Sequence, residues 1–197
     1  MDAYLLTGDR VNATLFPISA FGNTITIRKF RRNPWTVIDF INMNTLSIDI
    51  AAFLWQAVQY ELNITIAGGT GSGKTSLLNV ILEFIPPNQR IVSIEDTREI
   101  QLASFHHWVP LVTRAASAEG KGEVSMLDLL VNSLRMRPDR IVVGEIRRAE
   151  EAEVLFEAMH TGHSVYATLH AETAEQAYRR LTHPPINVPE TLLESLH

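Results

Sequence analysis

Residues 68–75 read GGTGSGKT, with Gly68, Gly73, Lys74 and Thr75 at the spacing of a Walker A phosphate loop. Glycines let such a loop wrap until its backbone N–H groups point inward at phosphate oxygens. A helix beginning near Lys74 adds the positive end of its dipole. Gly69, Thr70, Gly71, Ser72 and Gly73 then form the cradle, and Ser76 lies in the first helical turn. Lys74 is placed to reach β and γ phosphates, and the Thr75 hydroxyl to coordinate Mg²⁺. The sequence lacks the Asn-Lys-x-Asp reader of guanine, which favours ATP. The bland alternative is a Gly-rich turn with a surface lysine. It is disfavoured because a strand-like run, LNITIAG, precedes the loop and a helical one, KTSLLNVILEFI, follows it.

A phosphate site with Mg²⁺ needs a carboxylate and a way to activate water. Many nucleotide hydrolases end a buried strand with an Asp that serves the metal. In IVVG, residues 141–144, that position is Gly144, and Glu145 follows. The segment SIEDTRE, residues 93–99, offers Glu95, Asp96 and Glu99 instead. At the C-terminal edge of a parallel sheet they lie beside the phosphate loop, where such sheets bind ligands. One or two protein carboxylates suffice for Mg²⁺. Glu145 is then expected to orient and deprotonate the attacking water. The competing reading makes it a solvated loop residue or the partner of Arg147 or Arg148.

GHSVYATLH places His163 before a strand and Thr168 and His170 at its end. A histidine near a γ-phosphate can sense it or neutralise developing charge. A zinc site from His160, His163 and His170 is the weaker reading, since no Cys or carboxylate completes a recognised spacing. His106-His107 reads as a strand entrance without chemistry. Arg135, Arg137 and Arg140 form either a solvated face or a phosphate-facing or interfacial run.

These groups need elements to hold them. Residues 10–19 and 23–30 alternate as short strands, with Gly22-Asn23 as the turn. In TITIRKF the alternation puts Arg28 on a face with Thr26 and Thr24, opposite Ile25 and Ile27. RRNPWT is a plausible linker, and residues 46–60 carry helical spacing. From residue 61 strands alternate with helices: strands near 62–68, 89–96, 107–114, 140–145 and 163–170, and helices near 74–85, 125–136, 149–162 and 173–181. Ser125 and Asp128 suit a capping box, and Gly162 a helix stop. Such alternation implies an α/β fold, a mostly parallel sheet covered on both faces. After Pro184, Pro185 and Pro189 only a short last helix is expected. The expected division is residues 1–33 as part of a small N-terminal α/β domain, 34–45 as linker and 46–197 as the P-loop domain.

The 197 residues are 46% apolar and 20% charged, with net charge −5. That is globular composition. Acidic bulk charge gives no sign of nucleic-acid binding. With no cysteine, thiolate metal sites are excluded. No apolar run approaches the ~20 residues of a membrane span, so a membrane role would be peripheral.

Taken together, GGTGSGKT, IEDTRE, GEIRR and GHSVYATLH resemble, in order, the motifs of the ATPases of type II and type IV secretion systems. That family also includes pilus assembly and retraction motors and the archaellum motor. GNTITIRKF and PPINVPETLLESL look most like its archaeal members. The resemblance implies a RecA-like P-loop core after a small N-terminal domain, assembled as a homo-hexameric ring. It implies Glu145 as catalytic glutamate and Glu95, Asp96 and Glu99 as an Asp box near the metal. It places His163 and His170 near the γ-phosphate and Arg10 and Arg28 as fingers from the N-terminal domain. For each arginine a solvated strand position is the alternative. GEIRR departs from the family at Arg148, where many members carry Asp. The implied activity is Mg²⁺-dependent ATP hydrolysis driving domain motion, in the cytoplasm at the inner face of the membrane, with a polytopic platform protein as partner and no nucleic acid. Another P-loop kinase or translocase, and a binding fragment without turnover, are the competing readings. The chain also reads as a fragment, truncated in both domains, with Met1 an artificial or internal start.

Overall fold

The computed structural model describes residues 2–29, 31, 33–117 and 119–196. Met1, and with it the reading of an internal start, lies outside the described residues.

Three strands open the chain: β1 (Asp2–Tyr4), β2 (Arg10–Thr14) and β3 (Thr24–Arg28), an antiparallel sheet in that order. Gly22 turns between β2 and β3 at φ +119°, a conformation L side chains rarely adopt. The Asn23 side chain supports the connection by accepting from the Phe16 N–H at 2.9 Å. The register pairs Arg10 with Arg28, Asn12 with Thr26 and Thr14 with Thr24. Directly opposed residues share a face, so both arginines stand on the polar side.

The segment expected as linker, 34–45, contains a helix, α1 (Val37–Asn42). Thr36 and Asp39 close a capping box on its first turn. Phe40 is buried, with Trp35 edge-on to its ring at 6.3 Å. Next is α2 (Ile48–Gln59), capped by Ser47 and buried through Ala51, Ala57 and Val58.

The rest is a five-stranded parallel sheet: β4 (Ile64–Gly68), β5 (Arg90–Glu95), β6 (His107–Val112), β7 (Arg140–Val143) and β8 (Ser164–His170), in the order β4-β8-β7-β5-β6. The helices are α3 (Lys74–Leu82), α4 (Met126–Ser133), α5 (Ala149–His160), α6 (Ala174–Thr182) and the short α7 (Glu190–Leu193). Ser125 and Asp128 close the expected box on α4, and Gly162 follows α5 at φ +93°. Alternation along each strand feeds two cores. Ile141, Val143, Val165, Ala167 and Leu169 pack with α4 and α5, while Val142, Tyr166 and Ile66 pack with α2 and α3. Strands covered on both faces explain the nearly continuous apolar runs.

Two expectations change at the N-terminal edge of this sheet. Arg140 belongs neither to a solvated face nor to a phosphate site. It is fully buried, donating to Gln89 Oε1 (2.8 Å), Ser164 Oγ (2.6 Å), Tyr166 Oη (3.1 Å) and the Val58 carbonyl (2.9 Å). Arg135 and Arg137 are exposed. His163 sits at this same edge, before β8 begins.

Candidate nucleotide site

The phosphate loop spans the end of β4 and the start of α3. Gly71 and Gly73 adopt φ +74° and +92°, in the left-handed region. Gly68 has a different reason to be glycine: an added Cβ would meet the Ser72 hydroxyl and come within 3.2 Å of Lys74 Cγ. Ser72 Oγ donates to the Gly69 carbonyl at 2.9 Å and braces the loop. Lys74 Nζ lies across the loop, donating to the carbonyls of Gly68 (2.9 Å) and Gly69 (2.6 Å).

The acids at the end of β5 and just beyond it take three different places. Glu99 is next to the loop, accepting from the Thr75 hydroxyl at 3.0 Å. Asp96 accepts from the Thr113 hydroxyl at 3.1 Å and from Arg147 at 2.7 Å. Glu95 is buried, its Oε1 accepting the N–H groups of Glu99 (2.8 Å) and Ile100 (2.9 Å). Burial pushes its carboxyl up to about 7, against the pull of those two hydrogen bonds. Its Oε2 has no hydrogen-bond partner among the described residues. Gly144 explains the missing Asp in spatial terms. A Cβ there would approach Glu95 Cγ at 3.3 Å, so the Glu95 side chain fills the space beside it.

Glu145 follows on an irregular segment. Its Oε2 accepts from Arg147 Nε (3.0 Å) and Nη2 (2.7 Å). Thr168 at the end of β8 donates to the Gly144 carbonyl, tying this loop to the sheet. His170 Nε2 pairs with Thr70 Oγ1 at 3.1 Å, so it touches the phosphate loop. From the N-terminal sheet, Arg28 pairs with Glu99 Oε1 at 2.7 Å, and Arg10 donates to the Thr97 hydroxyl at 3.0 Å.

One cleft of ≈780 Å³ is lined by both arginines, by Thr70, Gly71, Gly73, Lys74, Thr75 and Ser76 of the loop, by Glu95, Asp96 and Glu99, and by Glu145 and His170. Its size is that of a small-molecule site. Gly69 and Ser72 are not part of that lining and brace the loop through their mutual hydrogen bond. His163 does not join them. β8 separates it from His170 by roughly 20 Å at ~3.3 Å per residue, so its expected place at the γ-phosphate is corrected. The same separation breaks the zinc reading, since His160 and His163 are at one edge and His170 at the other. Sequence reasoning missed Thr97, which holds Arg10, and Asn79, which receives the Gln101 N–H and donates to the Glu99 carbonyl. Thr97 lies inside IEDTRE but reads there as a spacer between acids, and Asn79 lies in no motif; both matter through contacts between distant segments.

The residues fit ATP with Mg²⁺. Thr75 and Glu99 are adjacent oxygen donors, a partial hard set that leaves positions for phosphate oxygens and water. Among the described residues no three His, Cys, Asp or Glu side chains converge on a metal position.

A sequence model of the Type II/IV secretion system protein family matches residues 9–195. The chain belongs to this family. It is 55% identical over 169 residues to an uncharacterised protein of Methanocaldococcus jannaschii, covering 83% of this chain and 23% of that one. It is 35% identical over 193 residues to the conjugal transfer protein TrbB of Rhizobium radiobacter, covering 96% and 57%. The crystal structure of the VirB11 ATPase of the Brucella suis type IV secretion system, in complex with sulphate, superposes with a TM-score of 0.62 at 27% identity, covering 99% of this chain and 65% of that one. The secretion-ATPase family member therefore has the RecA-like parallel-sheet core of its relatives. It spans between 23% and 58% of the length of three M. jannaschii relatives. No helix among the described residues is long and apolar enough to cross a membrane.

Proposed function

We propose that this chain is the catalytic part of a Mg²⁺-dependent ATPase that powers a secretion or pilus-type assembly system. The observation that carries this reading is the single cleft in which the phosphate loop, Glu145 and two arginines from a separate sheet meet. The names of the relatives, a VirB11 ATPase and a conjugal transfer protein, support the process.

Lys74 exchanges its bonds to the loop carbonyls for the β and γ phosphates, and loop N–H groups take the remaining oxygens. Thr75 and Glu99, with the neighbouring acids Glu95 and Asp96, would hold Mg²⁺, which would supply charge neutralisation at the phosphates. Glu145 orients a water and takes its proton. The water oxygen bonds to the γ-phosphorus while the bridging P–O bond breaks, its electron pair leaving on ADP. Arg28 and Arg10 act as fingers on the γ-phosphate, which makes the position of the N-terminal sheet depend on the nucleotide. His170, through Thr70, senses the loaded loop. In a ring of six identical subunits, working from the cytoplasm on a polytopic membrane platform, that coupling becomes mechanical work.

Lys74→Ala and Glu145→Gln test the core of this reading in the full chain. The first loses nucleotide affinity because the mobile charge is gone. The second keeps affinity and loses turnover because shape is preserved and basicity is not. Parent-rate hydrolysis by Glu145→Gln would remove Glu145 from the mechanism.

A further inference from the structure

β5 and β7 are neighbours in the sheet, and their C-terminal ends present Asp96 and Glu145 on irregular segments. Arg147 joins the two. Its Nε and Nη2 donate to Glu145 Oε2 at 3.0 and 2.7 Å, and its Nη1 donates to Asp96 Oδ2 at 2.7 Å. Both ends of this bridge are anchored. Asp96 Oδ1 accepts from the Thr113 hydroxyl just past β6, at 3.1 Å. The backbone N–H groups of Arg147 (3.4 Å) and Arg148 (3.2 Å) donate to Glu151 Oε2 in the first turn of α5. Glu145 Oε1, by contrast, accepts no hydrogen bond among the described residues.

We propose that Arg147 is a positioning residue: its guanidinium grips Glu145 by Oε2, ties it to Asp96, and leaves Oε1 to take the proton of the attacking water. This rests on the reading of Glu145 as the base. The physical need is clear. Glu145 has three free side-chain torsions on a loop, and a base must be held within reach of the proton it takes. Asp96 and Glu145 also repel each other and an arriving triphosphate. A planar guanidinium answers both problems, because its donors diverge in fixed directions and can serve two carboxylates at once. A lysine ammonium reaches one of them with a single flexible point charge.

Arg147→Ala, Arg147→Lys and Arg147→Ala/Glu145→Gln in the full chain are the test. Steady-state kcat and KM, equilibrium affinity for a fluorescent ATP analogue and melting temperature are measured for each. For Arg147→Ala, kcat should fall by about 10²-fold, the cost of a misplaced catalytic group. KM and analogue affinity should stay within about twofold, because Arg147 makes no contact with the phosphate loop. Lysine should restore part of the loss, and the double variant should be no slower than Glu145→Gln alone. Should the alanine variant fail to fold, Arg147→Gln, which keeps the stem, is held to the same kcat, KM and affinity outcome. A kcat equal to or above the parent's would overturn the proposal, the latter marking Arg147 as a restraining latch. An affinity loss as large as the kcat loss would also overturn it and make Arg147 a phosphate ligand. If Glu145→Gln is inactive while Arg147→Ala works at the parent rate, this inference fails alone. If Glu145→Gln is active, the base assignment fails independently of Arg147.

Discussion

β7 is a short strand with charge near both ends, and the two ends treat it differently. At its start Arg140 is wholly buried, with donors committed to a carbonyl, an amide oxygen and two hydroxyls, and Glu61 at 3.5 Å. Beyond its end Glu145 and Arg147 face a cleft, their side chains 27% and 54% exposed, in a pair that water screens. A buried charge survives only when every polar atom is satisfied, so the first cluster behaves as architecture. An exposed pair adds little to stability, so its arrangement matters to the cleft more than to the fold. The contrast separates an arginine that holds the sheet together from one placed at the cleft.

That contrast is breakable, most forcefully at the buried end. Arg140→Ala removes four hydrogen bonds at once, to the Val58 carbonyl, the Gln89 amide oxygen and the Ser164 and Tyr166 hydroxyls, from a fully buried position. Urea unfolding should show a loss of about 3–5 kcal/mol, the range for breaking a buried charge network. A loss below about 1 kcal/mol would mean that this edge is solvated and that the two ends do not differ.

Glu95 is the intermediate case, buried yet at the working edge. Its folded-state value near 7 lies above the ordinary 4.5. Between those two values the folded protein binds a proton that the unfolded chain has released. Stability from this group is therefore full below about 4.5 and declines as pH rises through about 7. Without nucleotide, unfolding free energy should fall between pH 5 and 8, by on the order of 3 kcal/mol at most from this residue. Glu95→Gln should flatten that slope. An unchanged slope would show that Glu95 keeps its proton equilibrium on folding.

Arg28 should give the smallest stability effect. Its side chain is 67% exposed, so Arg28→Ala should change unfolding free energy by no more than about 0.5 kcal/mol. Hydrolysis should nevertheless slow by roughly 10³-fold with ATP affinity nearly intact, as for an arginine finger. An Arg28→Ala protein that turns over at the parent rate would reduce this residue to a surface charge on Glu99.

Much of the fold was legible because its signals are local. All five parallel strands fall within the stretches where the sequence predicts strands, and α4 begins at its Ser125–Asp128 box. The helix α1 was hidden because only one of its residues, Phe40, is buried, which leaves no periodic stripe to read. Arg140 was misread because an arginine opening a strand looks solvated until α2 and β8 close over it. His163 was misread because a motif groups residues by order along the chain, while a strand carries its two ends to opposite edges of a sheet.

The sequence alone determined the phosphate loop, since Gly68, Gly73, Lys74 and Thr75 act through backbone geometry that the loop itself creates. It likewise determined that carboxylates end β5 and follow β7, and that Arg28 lies on the polar face of its strand, while the strand register set Arg10 opposite it. Tertiary structure decided which carboxylate does what. Glu99 meets Thr75 across 24 positions, Arg147 meets Asp96 across 51, and Arg10 meets Thr97 across 87. Such pairs depend on strand order, on the room Gly144 leaves for Glu95, and on how deeply each carboxyl is withdrawn from water. Those quantities belong to the packed molecule and to no single stretch of it.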